Sequence, residues 1–191
     1  QQSWSMAKSM TSAMVGILAD EGQIDIDETQ LAREWLGEED PRAQIALYHL
    51  LQMTSGLDTH EVYSDVTSDV VQMLFNSRDT GSFAANQSFE SKPGTVFEYS
   101  SATTNLISRI IRERIGNDAD YHAFPRRKIF DPLGMKSAIM EVDPVGNFIG
   151  SSYVYATPRD YARFGQLFLQ DGKWGDTQLL SEDWVKFSHA A

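Results

Sequence analysis

Apolar residues recur at spacings of three and four in segment after segment of this chain, and that period confines it to a fold built mainly of helices. The strongest case is 101–115. There Leu106, Ile107, Ile110, Ile111 and Ile115 share a face, and Gly116 closes the run. Near the start, Met6, Met10, Ala13, Met14, Ile17 and Leu18 form another such face, with Gly22 placed to stop it. Residues 45–53 read as a helix ended by Thr54-Ser55-Gly56, Gly56 taking the left-handed position, and residues 57–66 as a loop. Ser68 is placed to cap a short helix carrying Val70, Val71, Leu74 and Phe75. A further helix spans 120–130 and stops at Asp131-Pro132. Thr157-Pro158-Arg159-Asp160 opens another that ends at Asp171-Gly172, and Ser181 caps a last one near Trp184. Only 95–99 and 151–155 read as strands, and the polar stretch 76–93 is a long connection of the kind that often carries function.

With 191 residues and 41% hydrophobic content, the chain has material for one packed core, which excludes disordered and low-complexity classes. It contains no cysteine, so disulfide scaffolds, thiolate metal sites and cysteine nucleophiles are excluded, while the compartment stays open. Residues 1–5 read as neither signal peptide nor leader. A net charge of −11 argues against a nucleic-acid or anionic-membrane partner, and no apolar stretch is long enough to span a bilayer. The acidic run from Glu21 to Asp40 reads as solvated surface. The basic clusters Arg109/Arg112/Arg114 and Arg126-Arg127-Lys128 read as solvated faces, for which pairing with the chain's own acids is a simpler use than nucleic acid.

None of the four histidines, His49, His60, His122 and His189, has metal-ligand spacing, and His49 reads as a satisfied group in an apolar helix. Gly134, Gly146 and Gly150 are too scattered for a phosphate loop. The segment that asks for chemistry is Ser5-Met6-Ala7-Lys8. On a helix these two polar residues share a face, with the lysine pointing back toward the serine. A serine at a helix N-terminus has free backbone N–H groups and the positive dipole end beside it, both favourable to an oxyanion. A poorly solvated lysine one turn on can activate the hydroxyl. With 19 serines and 6 lysines, however, about 0.6 such pairs are expected by chance, so the spacing alone carries little.

Its companions carry more. Ser5-Met6-Ala7-Lys8 is followed in order by the segment from His49 through Thr54-Ser55-Gly56-Leu57 and by Phe97-Glu98-Tyr99-Ser100-Ser101. Asp131-Pro132-Leu133-Gly134-Met135 and the segment from Ala156 to Gly165 complete the series. This ordered set resembles the serine β-lactamase/penicillin-binding-protein superfamily. Within it the chain looks most like the class C β-lactamase-related serine hydrolases, which include esterases, D-aminopeptidase-like enzymes and 6-aminohexanoate-dimer hydrolases.

That resemblance implies Ser5 as the acylated nucleophile, Lys8 as its base partner and Tyr99 as the phenol that shuttles a proton to the leaving group. Ser101 stands where the family pattern usually has an Asn that helps hold the substrate's acylamide carbonyl. A serine there resembles the esterase and nylon-oligomer-hydrolase branch and points away from β-lactam hydrolysis. The family's later Lys/His-Thr/Ser-Gly strand motif is absent, as are strands before Ser5. The resemblance therefore implies a mostly α segment of an α+β, β-lactamase/transpeptidase-like fold. Residues 1–191 would form an incomplete single catalytic domain, its helical part packed on an antiparallel sheet largely missing from this chain. An apolar face would then await the rest of the domain or another chain. The implied activity is hydrolysis of a small-molecule ester or amide without cofactor or metal. The alternatives are a non-catalytic penicillin-sensor or binding module, and a helical interaction domain whose Ser/Lys/Tyr set is accidental.

Overall fold

The computed structural model describes residues 1–37 and 39–190. A 3₁₀ turn, Trp4–Met6, runs directly into α1 (Ala7–Asp20), which ends at Gly22 with φ +68°. The further helices are α2 (Leu47–Leu51), α3 (Asp69–Phe75), α4 (Thr80–Ala85), α5 (Ser101–Ile115), α6 (Asp118–Pro125), α7 (Pro158–Leu169) and α8 (Glu182–His189). Strands are two residues each. β1 (Ile139–Met140) pairs antiparallel with β2 (Val154–Tyr155), in the register Ile139↔Tyr155 and Met140↔Val154. Gln2 adds an isolated antiparallel bridge to Tyr155, so a strand-like residue does precede Ser5. β3 (Lys173–Trp174) and β4 (Thr177–Gln178) form a hairpin around Gly175-Asp176, with Gly175 at φ +57°. No described helix is long and apolar enough to cross a membrane.

Helix α5 is the axis of the molecule. Ser100 caps it, its hydroxyl accepting the Thr103 N–H at 3.2 Å, and Gly116 closes it at φ +84°. Every residue from 101 to 111 is buried, the polar ones included. Its apolar residues join Met10, Met14 and Leu18 of α1 and the fully buried Trp35, Tyr121 and Phe130 in one core. Gly16 lets α8 close on α1, since a Cβ there would fall 2.5 Å from the Trp184 ring.

Several expectations are corrected. The stretch 76–93 is not an open connection; it contains α4, capped by Asp79 and packed with Gly81 against the Arg109 stem. Residues 95–99 form no strand, and β1 and the β3–β4 hairpin lay outside the strand reading. Met53, at φ +56°, takes the left-handed turn after α2, before Gly56 does so at φ +76°. Ser68 occupies the N-cap position of α3, but its hydroxyl makes no cap bond. It donates to His60 O at 2.6 Å and accepts the Val62 N–H at 2.9 Å, pinning the loop before the helix. The 120–130 helix begins at 118 and widens into a π-helical turn, Arg126–Phe130, after Pro125, a residue with no N–H to sustain the α pattern.

The charged clusters are also not simply solvated faces. Arg109 is buried and forks onto Glu34, with both nitrogen–oxygen distances 2.8 Å, while its Nε donates to Glu113 at 2.9 Å. Arg112 pairs with Asp118, Arg114 with Glu28, Arg127 with Asp120 and Lys128 with Glu21, so the acidic run is partly an internal counter-charge. An apolar groove of 480 Å³ opens between α1, α7 and α8, lined by Met6, Met10, Leu51, Phe164, Phe168 and Phe187.

Burial alone would raise the Glu34 carboxyl, but the fork and charge of Arg109, with Arg33 adding to it, hold the acid below its ordinary value of 4.5. The stabilisation is therefore present above the unfolded-state value and is lost as pH falls through the folded one. Glu34→Gln is expected to lower the unfolding free energy of the intact protein at pH 7 by about 3 kcal/mol, because a buried guanidinium loses the carboxylate it forks onto and keeps only the more exposed Glu113. Denaturant titrations at pH 7 and pH 3 check this: the gap between variant and wild type narrows in acid.

Candidate active site

The chain enters α1 through a backbone locked to β2. The Ser3 N–H donates to Val154 O at 2.7 Å, and the Ser3 hydroxyl accepts the Val154 N–H at 3.1 Å. Trp4 follows at φ +48°, a region costly for a bulky residue, and turns the chain sharply so that Ser5 opens the helical run while remaining exposed. The Ser5 N–H has no acceptor among the described residues.

Lys8 lies one turn on, half-buried, and its ammonium has three acceptors. They are Ser101 Oγ at 3.0 Å, Ser151 O at 3.1 Å and Ser5 Oγ at 3.4 Å. An ammonium has three donors, so this geometry uses all of them. Tyr99 reaches the same point by its ring, whose centroid is 4.8 Å from Lys8 Nζ. It stands directly before the cap of α5, on a segment tied to the end of α2 by Gly94 N–H to Thr54 O and Glu98 N–H to Met53 O, both 2.8 Å. The Tyr99 side chain is partly exposed at 41%, and its hydroxyl has no hydrogen-bond partner among the described residues.

Ser101, expected at a substrate carbonyl, is fully buried in the first turn of α5 and already engaged. Its N–H donates to Glu61 Oε2 at 2.6 Å, and its hydroxyl donates to Glu61 Oε1 at 2.9 Å while accepting from Lys8. Tyr63 donates its own hydroxyl to Glu61 Oε1 at 2.8 Å. Burial, with the Glu61 carboxylate adding to it, pushes the Tyr63 hydroxyl up to about 12, so it remains a donor at neutral pH. Sequence reasoning missed both Glu61 and Tyr63. They lie in the 57–66 loop with no helical or strand period to relate them to α5, and loop placement was the sole available signal.

The third Lys8 acceptor was missed as well. Ser151 O is delivered by a segment that threads between α1 and α5 at Gly150, where a Cβ would fall 2.4 Å from the hydroxyls of both Ser108 and Thr11. Gly150 O accepts the Thr11 hydroxyl at 3.0 Å, and Asn105 Oδ1 accepts the Ser151 N–H at 3.1 Å. Of the histidines, His49 is buried with Nδ1 accepting the Ala46 N–H at 3.0 Å, and burial lowers its pKa. That matches a core role. His122 meets Gly146 O at 2.9 Å, away from Ser5.

A profile of the beta-lactamase family matches residues 2–189. The 6-aminohexanoate-dimer hydrolase of Paenarthrobacter ureafaciens is 26% identical over 196 residues, covering 95% of this chain and 48% of its own length. Among solved structures, a Bacillus anthracis protein provisionally described as a 6-aminohexanoate-dimer hydrolase superposes with a TM-score of 0.81 at 24% identity, over 98% of this chain and 52% of that one. The octameric penicillin-binding protein homologue from Pyrococcus abyssi gives 0.71 at 19% identity, over 96% and 47%. The chain thus spans about half the length of these relatives, and the structural likenesses speak to the fold. With the profile reaching almost from end to end and the same fold found at such coverage, the chain belongs to the beta-lactamase family and has a β-lactamase/transpeptidase-like fold, here mostly helical with short antiparallel strands.

Proposed function

We propose that the protein is a serine hydrolase that cleaves an ester or amide through an acyl-enzyme on Ser5. The observation that carries this reading is the 3.4 Å approach of Lys8 Nζ to the exposed Ser5 hydroxyl at the opening of α1. In the proposed reaction the neutral Lys8 amine takes the Ser5 proton as Oγ bonds to the substrate carbonyl carbon. The developing oxyanion lies beside the unpartnered Ser5 N–H and the positive end of α1. Tyr99, held against Lys8 by its ring, passes a proton to the departing alcohol or amine as the carbonyl–leaving-group bond breaks. Water then attacks the acyl carbon, gives its proton to the same relay, and releases the acid with Ser5 restored. Ser101 serves in this reading through Lys8 and borders the acyl site rather than offering a free hydroxyl to it.

The family membership and the Paenarthrobacter relative, named for hydrolysis of an aminohexanoate dimer, support the amide or ester class for this chain too. Residues 1–191 are read as the helical part of one catalytic domain. The apolar groove between α1, α7 and α8 is the face on which the remainder of such a domain would pack.

Treatment of the intact protein with a fluorophosphonate is expected to add one phosphonyl mass to the peptide carrying Ser5, and Ser5→Ala to abolish both labelling and ester turnover. Labelling unchanged in the variant would refute the assignment. Tyr99→Phe is expected to lower kcat for an anilide or amide by about 100-fold, the scale of a lost proton transfer, with a smaller effect on an activated phenyl ester whose leaving group needs no proton. Side-by-side assays with short-chain p-nitrophenyl esters and nitrocefin should show ester turnover and poor nitrocefin turnover, in keeping with Ser101 where β-lactam-acting relatives carry Asn. Fast nitrocefin hydrolysis would overturn that expectation.

A further inference from the structure

We propose that Glu61 is a positioning residue that aims the Lys8 amine at Ser5 by fixing the direction of the Ser101 hydroxyl proton; this rests on the serine-hydrolase reading above. A carboxylate accepts hydrogen bonds and donates none. The 2.9 Å contact between Ser101 Oγ and Glu61 Oε1 therefore takes the single hydroxyl proton of Ser101, which turns its lone pairs toward Lys8. Two further donors anchor the carboxylate in that pose, the Ser101 N–H at 2.6 Å on Oε2 and the Tyr63 hydroxyl at 2.8 Å on Oε1. The loop that carries Glu61 is itself held at its preceding residue. The His60 N–H donates to Asp69 at 2.9 Å, and His60 O accepts both the Ser68 hydroxyl and the Val70 N–H.

The consequence follows from counting donors at Nζ. Ser151 O, a backbone carbonyl, can only accept, and Ser101 Oγ, with its proton given to Glu61, can only accept as well. A lysine that has given up one proton keeps two N–H bonds and one lone pair. The two N–H bonds satisfy the two obligate acceptors, and the lone pair is left facing the third neighbour, Ser5 Oγ, whose proton it is required to take. Without the carboxylate, Ser101 is free to turn its own proton onto Nζ and occupy that lone pair.

Glu61→Gln tests this with little change in volume. Its Oε1 can keep the Ser101 N–H, while its amide N–H donates to Ser101 Oγ and releases the hydroxyl proton toward Lys8. In the full-length protein, the expected result is a fall of roughly 30-fold in kcat for a p-nitrophenyl ester and in the rate of fluorophosphonate labelling, on the scale of a misdirected base. KM is expected to change by less than about 3-fold, since no substrate contact is removed. Glu61→Asp, which keeps an acceptor-only group, recovers most of the labelling rate.

The decisive comparison repeats Glu61→Gln in a Ser101→Ala background. With no hydroxyl to orient, the second substitution costs less than about 3-fold there, a non-additivity expected of residues that act as one unit. A Glu61→Gln enzyme that labels at the wild-type rate, or one whose loss is as large without Ser101 as with it, would overturn the proposal. Wild-type protein that is not labelled on Ser5 at all overturns instead the hydrolase reading beneath it, so the two failures are distinguishable.

Discussion

A helix buried on every side for three turns must find partners for each polar side chain it carries, and α5 carries six of them between 101 and 111. Thr103 and Ser108 turn their hydroxyls onto the backbone at the start of α5 itself, and other elements supply partners for Ser101, Asn105 and Arg109. Arg109 draws in Glu34 from the acidic run, Asn105 receives the backbone of 151, and Ser101 receives Glu61 from the loop before α3. The backbone joins in where the side chains leave off, with Ser108 O accepting the Tyr121 hydroxyl from α6 at 3.1 Å. These bonds tie α5 to the turn carrying Glu34, to α6 and to the loops at 57–66 and 150–152. The candidate site is one end of that pattern, where Ser101 meets Lys8.

Charge is handled in the same way. A chain of net charge −11 has few cations, and most of its arginines are matched to particular acids. Lys8 is different: its hydrogen-bond partners are two hydroxyls and a carbonyl, with an aromatic ring beneath. None of these contacts is a carboxylate. Glu61 stands one hydroxyl away, close enough to order the neighbourhood without contacting the nitrogen.

Much of the helical frame was legible because its signals are local. Thr157 caps α7 with Pro158 in its first turn, Gly116 closes α5, and Ser181 caps α8 through the Trp184 N–H, each within a few residues of the sequence cue. The Ser5–Lys8 pair is local too, one helical turn apart. What was illegible depends on tertiary contact. Helix α4 is six residues of Thr, Gly, Ser, Phe and Ala with almost no apolar period, and it exists because Gly81 lets it press on Arg109. The strands of β1 and of the β3–β4 hairpin, two residues each, leave no alternation to detect, whereas β2 falls inside the 151–155 stretch read as a strand. Ser68 has the composition of a cap and spends its hydroxyl on a loop instead. Glu61 lies 40 residues from the serine it grips, and no spacing rule reaches that far.

Gly150 bears on how steady the site is. At that point a bare peptide unit lies between the hydroxyls of Thr11 on α1 and Ser108 on α5, with no room for even one carbon on its Cα. Between the helix that carries Lys8 and the helix that carries Ser101, a rigid, planar group fills the space, met by one short hydroxyl side chain from each. Rotamer exchange in the core can blur a spacing built from leucines, but a peptide plane has no rotamers. A backbone unit thus serves as a gauge block between the two helices, and a side chain of any size at 150 would push them apart.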